Sequence, residues 1–299
     1  EDCLDLLALL HGSEGLLGLV IEVTVALRPV PEAVTVLMAG FKDTNAAANA
    51  VSAVIQAGVL PAGLEMMDRL AIQAAEDFVH AGYPSEAEAL LLCELDGSDA
   101  EIAGLSEAIQ GVLQAAGAHS VVEARNAADR ARLWLGRKAA FPAVGRIAPD
   151  YYCMDGTIPR RHLAEVLAAI ADRSAHYELP VANVFHAGDG NLHPLILYDA
   201  NDSDQFQRAE AFGADVLAIC LQFGGTITGE HGVGLEKIDQ MCNQFTALEL
   251  AVFHAVKAAF DPSGLLNPGK AIPTLNRCAE FGAMHVHKGA QKHPELPRF

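Results

Sequence analysis

Two stretches of this chain hold most of its concentrated polar chemistry. One is His186-Ala-Gly-Asp-Gly-Asn-Leu-His193; the other is Thr228-Gly-Glu230-His231-Gly-Val-Gly234. Imidazole and carboxylate groups beside glycine-rich backbone are the donor types that bind divalent transition metals. Gly188-Asp189-Gly190-Asn191 is strong turn chemistry, because glycine and asparagine tolerate positive φ. Apolar runs flank it, PVANVF at 180–185 and PLILY at 194–198. The pattern predicts a tight hairpin with His186 and His193 on opposing strands, within reach of one ion. Glu230 and His231 are adjacent and so point apart from an extended chain. One can ligate while the other faces a substrate. A single histidine beside a turn is ordinarily a hydrogen-bonded structural residue; the two stretches together make the stronger signal.

The elements that must position these groups follow a repeated order. Strands are expected at 34–41, 62–67, 88–95 and 119–124. Helices are expected at 44–57, with Asp43 as N-cap and Gly58 as stop, at 69–80 and at 100–116. That is β-α-β-β-α-β with one inserted helix, the ferredoxin-like order. The second copy has a strand at 150–157, a helix from Pro159, the hairpin, a helix at 204–222 and a strand at 225–228. A helix at 127–140 joins the copies. The fold class is therefore α+β, with two ferredoxin-like halves whose antiparallel sheets form a cap domain. The expected divisions are 1–28, 29–245 and 246–299. The first is the tail of another domain, its LGLVIEVTVAL run (17–27) a strand. The last holds a helix at 246–260, the Asn267-Pro-Gly turn and a polar tail with Cys278, His285, His287 and His293. That tail reads as surface or partner contact.

A net charge of −18 over 299 residues argues against nucleic acid and anionic lipid, which both attract basic patches. Half the chain (51%) is hydrophobic, ample for a core, yet no run reaches the ~18 apolar residues of a membrane span. Six scattered cysteines without a CxxC pair suggest reduced thiols in a cytoplasmic enzyme. The start at Glu1 reads as the middle of a domain, hence a fragment.

Several motifs in order carry a family resemblance. They are HGSEGLLGLVIEVT (11–24), GLEMMD (63–68), LWLGRKAAFPAVGRIAPDYYCMDGTIPR (133–160), VANVFHAGDGNLHPLILYDAN (181–201), GEHGVGLEKIDQMC (229–242) and FDPSGLLNPGK (260–270). Together they resemble the C-terminal half of FAD-linked oxidases of the vanillyl-alcohol-oxidase type, in particular the 2-hydroxy-acid dehydrogenases. The resemblance implies FAD and a divalent metal, zinc, manganese or iron, held by His186, His193 and Glu230. It implies His231 as the base that takes the substrate hydroxyl proton, Arg137 as the fork that grips the substrate carboxylate, and Tyr152 beside it. Tyr151 and Asp155 lie on the same strand, as pocket lining or packing, and Asp189 is a candidate for orienting a histidine. Gly15, Val20 and Asn267 would lie near the flavin, most of whose contacts belong to an N-terminal domain absent here. Leu16 stands where the family usually has threonine. The lysine that diacid-oxidising relatives place near Cys153, and the asparagine near Leu195, have no counterpart. A small monoacid, glycolate or D-lactate, is the expected substrate. Expected partners are a second flavin-type subunit and an iron–sulfur subunit, through which the chain would reach the periphery of the inner membrane. A metal-dependent hydrolase and a non-catalytic subunit-interaction module remain alternatives.

Overall fold

The computed structural model describes residues 4–273. They divide into two compact units, residues 27–230 and residues 4–26 with 231–273.

Unit one, at the chain ends, contains short helix α1 (Leu6–Leu10). The larger unit contains a seven-stranded antiparallel sheet. Its elements are β1 (Ala33–Phe41), α2 (Thr44–Gln56), β2 (Gly63–Asp68), α3 (Arg69–Val79), β3 (Ala89–Gly97), α4 (Asp99–Ala115) and β4 (Ser120–Glu123), then α5 (Ala127–Val144), β5 (Asp150–Cys153), α6 (Leu163–Tyr177), β6 (Val181–Phe185), β7 (Pro194–Tyr198) and α7 (Ser203–Gln222). The sheet order is β4-β1-β3-β2-β6-β7-β5. The first four strands have ferredoxin-like order. The last three repeat it in mirror sequence across the β2–β6 seam. That seam carries two registered pairs, Met66 with Phe185 and Met67 with Val184.

Local chemistry explains the helix ends. Asp43 caps α2 by accepting from the N–H groups of Asn45 and Ala46. Asp68 caps α3 through Ala71. Ser98 and Glu101 form a capping box at α4. Helix α5 runs past the expected stop and through Pro142 to Val144. On one face of the sheet, α3 and α5 bury Val36, Met67, Leu90, Leu92, Val184, Leu195 and Leu197 against Leu133, Ala140 and Val144. Helices α2, α4, α6 and α7 pack against one another in the pairs α2–α4, α2–α6 and α6–α7.

Three expectations fail. Residues 225–228 form no ladder; Thr226 makes one bridge, to Thr157, because the glycines around it break the pairing. Strand β5 ends at Cys153 rather than 157. The 17–27 run forms no strand: it finds no partner among the described residues, and β-propensity without a partner gives no ladder. Leu19, Val20, Ile21, Val23, Val25 and Leu27 are left exposed.

The other unit adds α8 (Met241–Gln244) and α9 (Ala247–Phe260), the latter with a Thr246–Glu249 capping box. Its loops are held by charge. Glu14 accepts the N–H groups of Val233 (2.7 Å) and Gly234 (2.8 Å). Lys257 donates to Asp261 and to the carbonyls of Leu16 and Leu266. Cys93, Cys153 and Cys220 remain thiols, Cys93 with its pKa pushed up to about 12 by burial. Cys242 is disulfide-bonded, so the expectation of six reduced thiols fails there. Scattered spacing does not reveal a pairing. Among the described residues no helix is long and apolar enough to cross a membrane. The tail residues Cys278, His285, His287 and His293 lie outside the described residues, as does Cys3.

Candidate metal centre

The hairpin forms as expected. His186 and Asn191 bridge across it, and the carbonyl of His186 accepts the N–H groups of Asp189, Gly190 and Asn191. Two contacts fasten the turn to its neighbours. The Gly188 N–H donates to the Leu64 carbonyl at 2.8 Å, and Arg160 Nη1 donates to the Gly188 carbonyl at 2.6 Å. Gly190 has φ +76°, and a Cβ there would lie 2.2 Å from the Ile158 carbonyl oxygen. Only glycine fits.

Strand alternation then aims the side chains. Val184, Leu195 and Leu197 face α5, so His186 and His193, two residues beyond Val184 and before Leu195, face the same way. Their rings lie edge to face with centroids 5.1 Å apart. His193 is almost fully buried and meets the edge of Phe141 from α5.

Glu230 completes the group. Its Oε1 lies 3.4 Å from His186 Nε2 and 3.1 Å from His193 Nε2. One ligand atom from each of the three residues falls within 4.8 Å of the others. Asp155, wholly buried, holds this arm in place. Its carboxylate accepts from the Thr228 hydroxyl (2.8 Å) and from the N–H groups of Gly229 (3.0 Å) and Glu230 (3.1 and 3.2 Å). It also stands 3.6 Å from His193 Nε2.

Glu65 is the residue that motif reading missed. It sits on β2, nearly buried, with Oε1 2.9 Å from His186 Nδ1. Its Oε2 accepts from Arg137 Nε at 3.0 Å and lies 2.8 Å from Arg137 Nη2. The Glu65 hydrogen bond is the main cause that raises the His186 pKa above its ordinary value, against the lowering effect of burial. An acid inside the apolar run AGLEMM is the signal that could have revealed it, since unpaired charges are rarely buried.

The donor set fits a divalent ion. When Glu65 accepts from Nδ1–H, His186 turns Nε2 toward a Glu230 oxygen 3.4 Å away, so that a cation can take both as ligands.

The remaining expected residues are more scattered. Arg137 lies beside the group, its guanidinium engaged by Glu65. Tyr152 is not brought there: it pairs with Ile196, and a Cβ on Gly213 of α7 would lie 2.6 Å from its ring. It therefore faces away from His193. Tyr151 faces the α5 side, its ring edge on Phe141. Asp189 sits in the turn. In the other unit, His231 is exposed. Gly15 (φ +74°) adjoins Asn267, whose Nδ2 donates to the Glu14 carbonyl at 2.6 Å. Val20 is exposed.

Residues 30–271 match the family described as FAD linked oxidases, C-terminal domain. The chain belongs to this family. It is 61% identical over 295 residues to glycolate oxidase subunit GlcD of Escherichia coli K12, covering 99% of this chain and 59% of that protein. Identity is 38% to the protein of the same name from Bacillus subtilis, over 89% of this chain and 57% of that one. It is 30% to a mitochondrial D-lactate dehydrogenase (cytochrome) of Arabidopsis thaliana, over 90% and 47%. The chain thus spans about three fifths of the first two relatives and about half of the third. Among solved structures, 4-ethylphenol oxidase from Gulosibacter chungangensis superimposes with a TM-score of 0.65 at 16% identity, over 82% of this chain and 55% of that one. A substrate-bound p-cresol methylhydroxylase gives 0.63 at 16%, over 83% and 54%. At this identity the likeness establishes the fold, in agreement with the expected α+β cap of an FAD-linked oxidase.

Proposed function

We propose that this chain is the substrate-side part of an FAD-linked enzyme that oxidises a small 2-hydroxy acid, glycolate or D-lactate, to the 2-keto acid. The observation that carries the reading is the convergence of His186 Nε2, His193 Nε2 and Glu230 Oε1, with Glu65 behind His186. The names of the curated relatives supply the substrate class.

A divalent ion on those three ligands would act as a Lewis acid, lowering the pKa of a substrate hydroxyl. FAD, when bound, would supply the hydride acceptor. Arg137 pairs with the substrate carboxylate by its guanidinium. Phe141 and Tyr151 line the apolar side of the pocket and exclude water. His231 takes the hydroxyl proton; its support is its place in the chain next to Glu230, and its exposure keeps it open to substrate. Gly15 and Asn267 form the flavin-facing turn. Partner subunits that carry electrons onward, and any association with the inner membrane, belong to the same proposal.

Metal content and flavin absorbance, measured on the purified chain beside a His186→Ala/His193→Ala variant, test it. About one equivalent of metal, lost in the variant, is the expected result. Failure of the native chain to take up zinc, manganese or iron after reloading would overturn the metal centre. Glycolate oxidation by the full-length protein, abolished by Glu230→Gln, separates the oxidase from a metal-dependent hydrolase and from an idle interaction module.

A further inference from the structure

We infer that Glu65 is the positioning residue of the metal centre, fixing the ring of His186 and the guanidinium of Arg137 with one carboxylate. The inference rests on the metal-centre reading above and deepens it. The three ligands all come from the second ferredoxin-like half, just after β6, just before β7 and on the 228–230 arm. Glu65 comes from the first half.

The sheet register explains why this acid and no other does so. Across the seam Met66 pairs with Phe185 and Met67 with Val184. One step further along the same register, Glu65 stands opposite His186. Directly opposed residues of an antiparallel pair are in side-chain contact. The Oε1–Nδ1 distance of 2.9 Å is that contact. Glu65 also faces α5, as alternation with Leu64 and Met66 requires, and so meets Arg137. The two carboxylate oxygens divide these contacts, Oε1 serving the imidazole and Oε2 the guanidinium.

The chemistry has two consequences. Ionised Glu65 can only accept, so Nδ1 of His186 carries a hydrogen, and in the neutral ring Nε2 then carries the lone pair. The ring is thereby held in the one tautomer and orientation that can ligate. Arg137 pairs with the other oxygen of the nearly buried Glu65 carboxylate. The ligand and the carboxylate fork are thus linked through Glu65, and disturbing either end disturbs the other.

The test uses the full chain with zinc as the probe and compares wild type, Glu65→Gln and Glu65→Asp. Titration calorimetry reads the dissociation constant, and long-range 1H–15N spectra read the His186 tautomer. In wild type we expect His186 with Nδ1–H. In Glu65→Gln we expect zinc affinity to fall about 10- to 100-fold, as for loss of comparable carboxylate–histidine support, with mixed tautomers. Glu65→Asp keeps the charge and should recover part of the affinity. Wild type that binds zinc while His186 carries its hydrogen on Nε2 in the apo chain would overturn the inference, whether or not the variants fold. So would a Glu65→Gln protein whose affinity stays within twofold. A wild type that binds no zinc would instead overturn the metal centre itself.

Discussion

Glu230 is held by its backbone: its N–H points at the Asp155 carboxylate, 3.1 and 3.2 Å from the two oxygens, which leaves its side chain to reach toward His186 and His193. The carboxylate thus works as an anchor for the ligand arm. Asp155→Asn replaces one accepting oxygen with an NH2 group facing donors. Loss of charge-assisted hydrogen bonds of this kind costs about 3 kcal/mol. Urea unfolding should show that loss, and zinc titration should show weaker binding in the same protein.

Gly190→Ala should be far more damaging than Gly224→Ala. Both glycines have positive φ, +76° and +77°, so both substitutions incur the left-handed penalty of about 1 kcal/mol. At Gly224 nothing lies within 4 Å of the added carbon, and at Gly190 it meets the Ile158 carbonyl oxygen at 2.2 Å. The expected difference in unfolding free energy is about 2 kcal/mol or more, the scale of a core overpacking. Metal binding should drop with Gly190→Ala alone, because His186 and His193 flank that turn.

The two adjacent tyrosines should separate by assay. Tyr152 lies against Gly213 of α7, and Tyr151 meets Phe141, which in turn meets His193. Tyr152→Ala should lower stability by about 2–3 kcal/mol through loss of packing, with KM for glycolate unchanged in the full-length enzyme. Tyr151→Ala should cost less stability and raise KM. The opposite pattern would restore Tyr152 to the pocket.

Acid stability should depend on Asp261. Lys257 and the N–H groups of Leu265 and Leu266 hold its pKa down to about 2, below the ordinary 3.8. A depressed carboxylate stabilises the fold above its unfolded pKa and loses that contribution as pH falls through the folded value. The effect therefore fades between about pH 4 and pH 2. Asp261→Asn should be less stable at pH 7 and should flatten the stability curve across that window, read by circular dichroism during acid titration.

Much of the architecture was legible because helices and strands announce themselves by period and cap. Asp43 before α2, the hydrophobic spacing of α4 and the glycine turn of the hairpin each fixed an element locally. His186, His193 and Glu230 were legible as donor types in glycine settings. Glu65 was not, because its meaning lies in partners 72 and 121 residues away. No local pattern states that β2 meets β6, so none could set that acid opposite His186. The Tyr151-Tyr152 pair was ambiguous for a related reason: adjacent residues on a strand face opposite sides, and two tyrosines do not say which. The 17–27 run failed in the opposite sense, since its composition is that of a strand and a strand needs a neighbour.

That run also bears on how the protein must be handled. Leu19 to Leu27 offers a bare, β-prone edge in which Glu22 is the only charged residue. Such segments associate with one another when nothing opposes contact. At neutral pH the net charge of −18 supplies the opposition as repulsion between molecules. Near the isoelectric point of about 4.9 that repulsion vanishes while the sticky edge remains. Light scattering of concentrated samples should therefore rise near that pH before circular dichroism reports unfolding, and dilute samples are the condition under which the fold itself can be titrated.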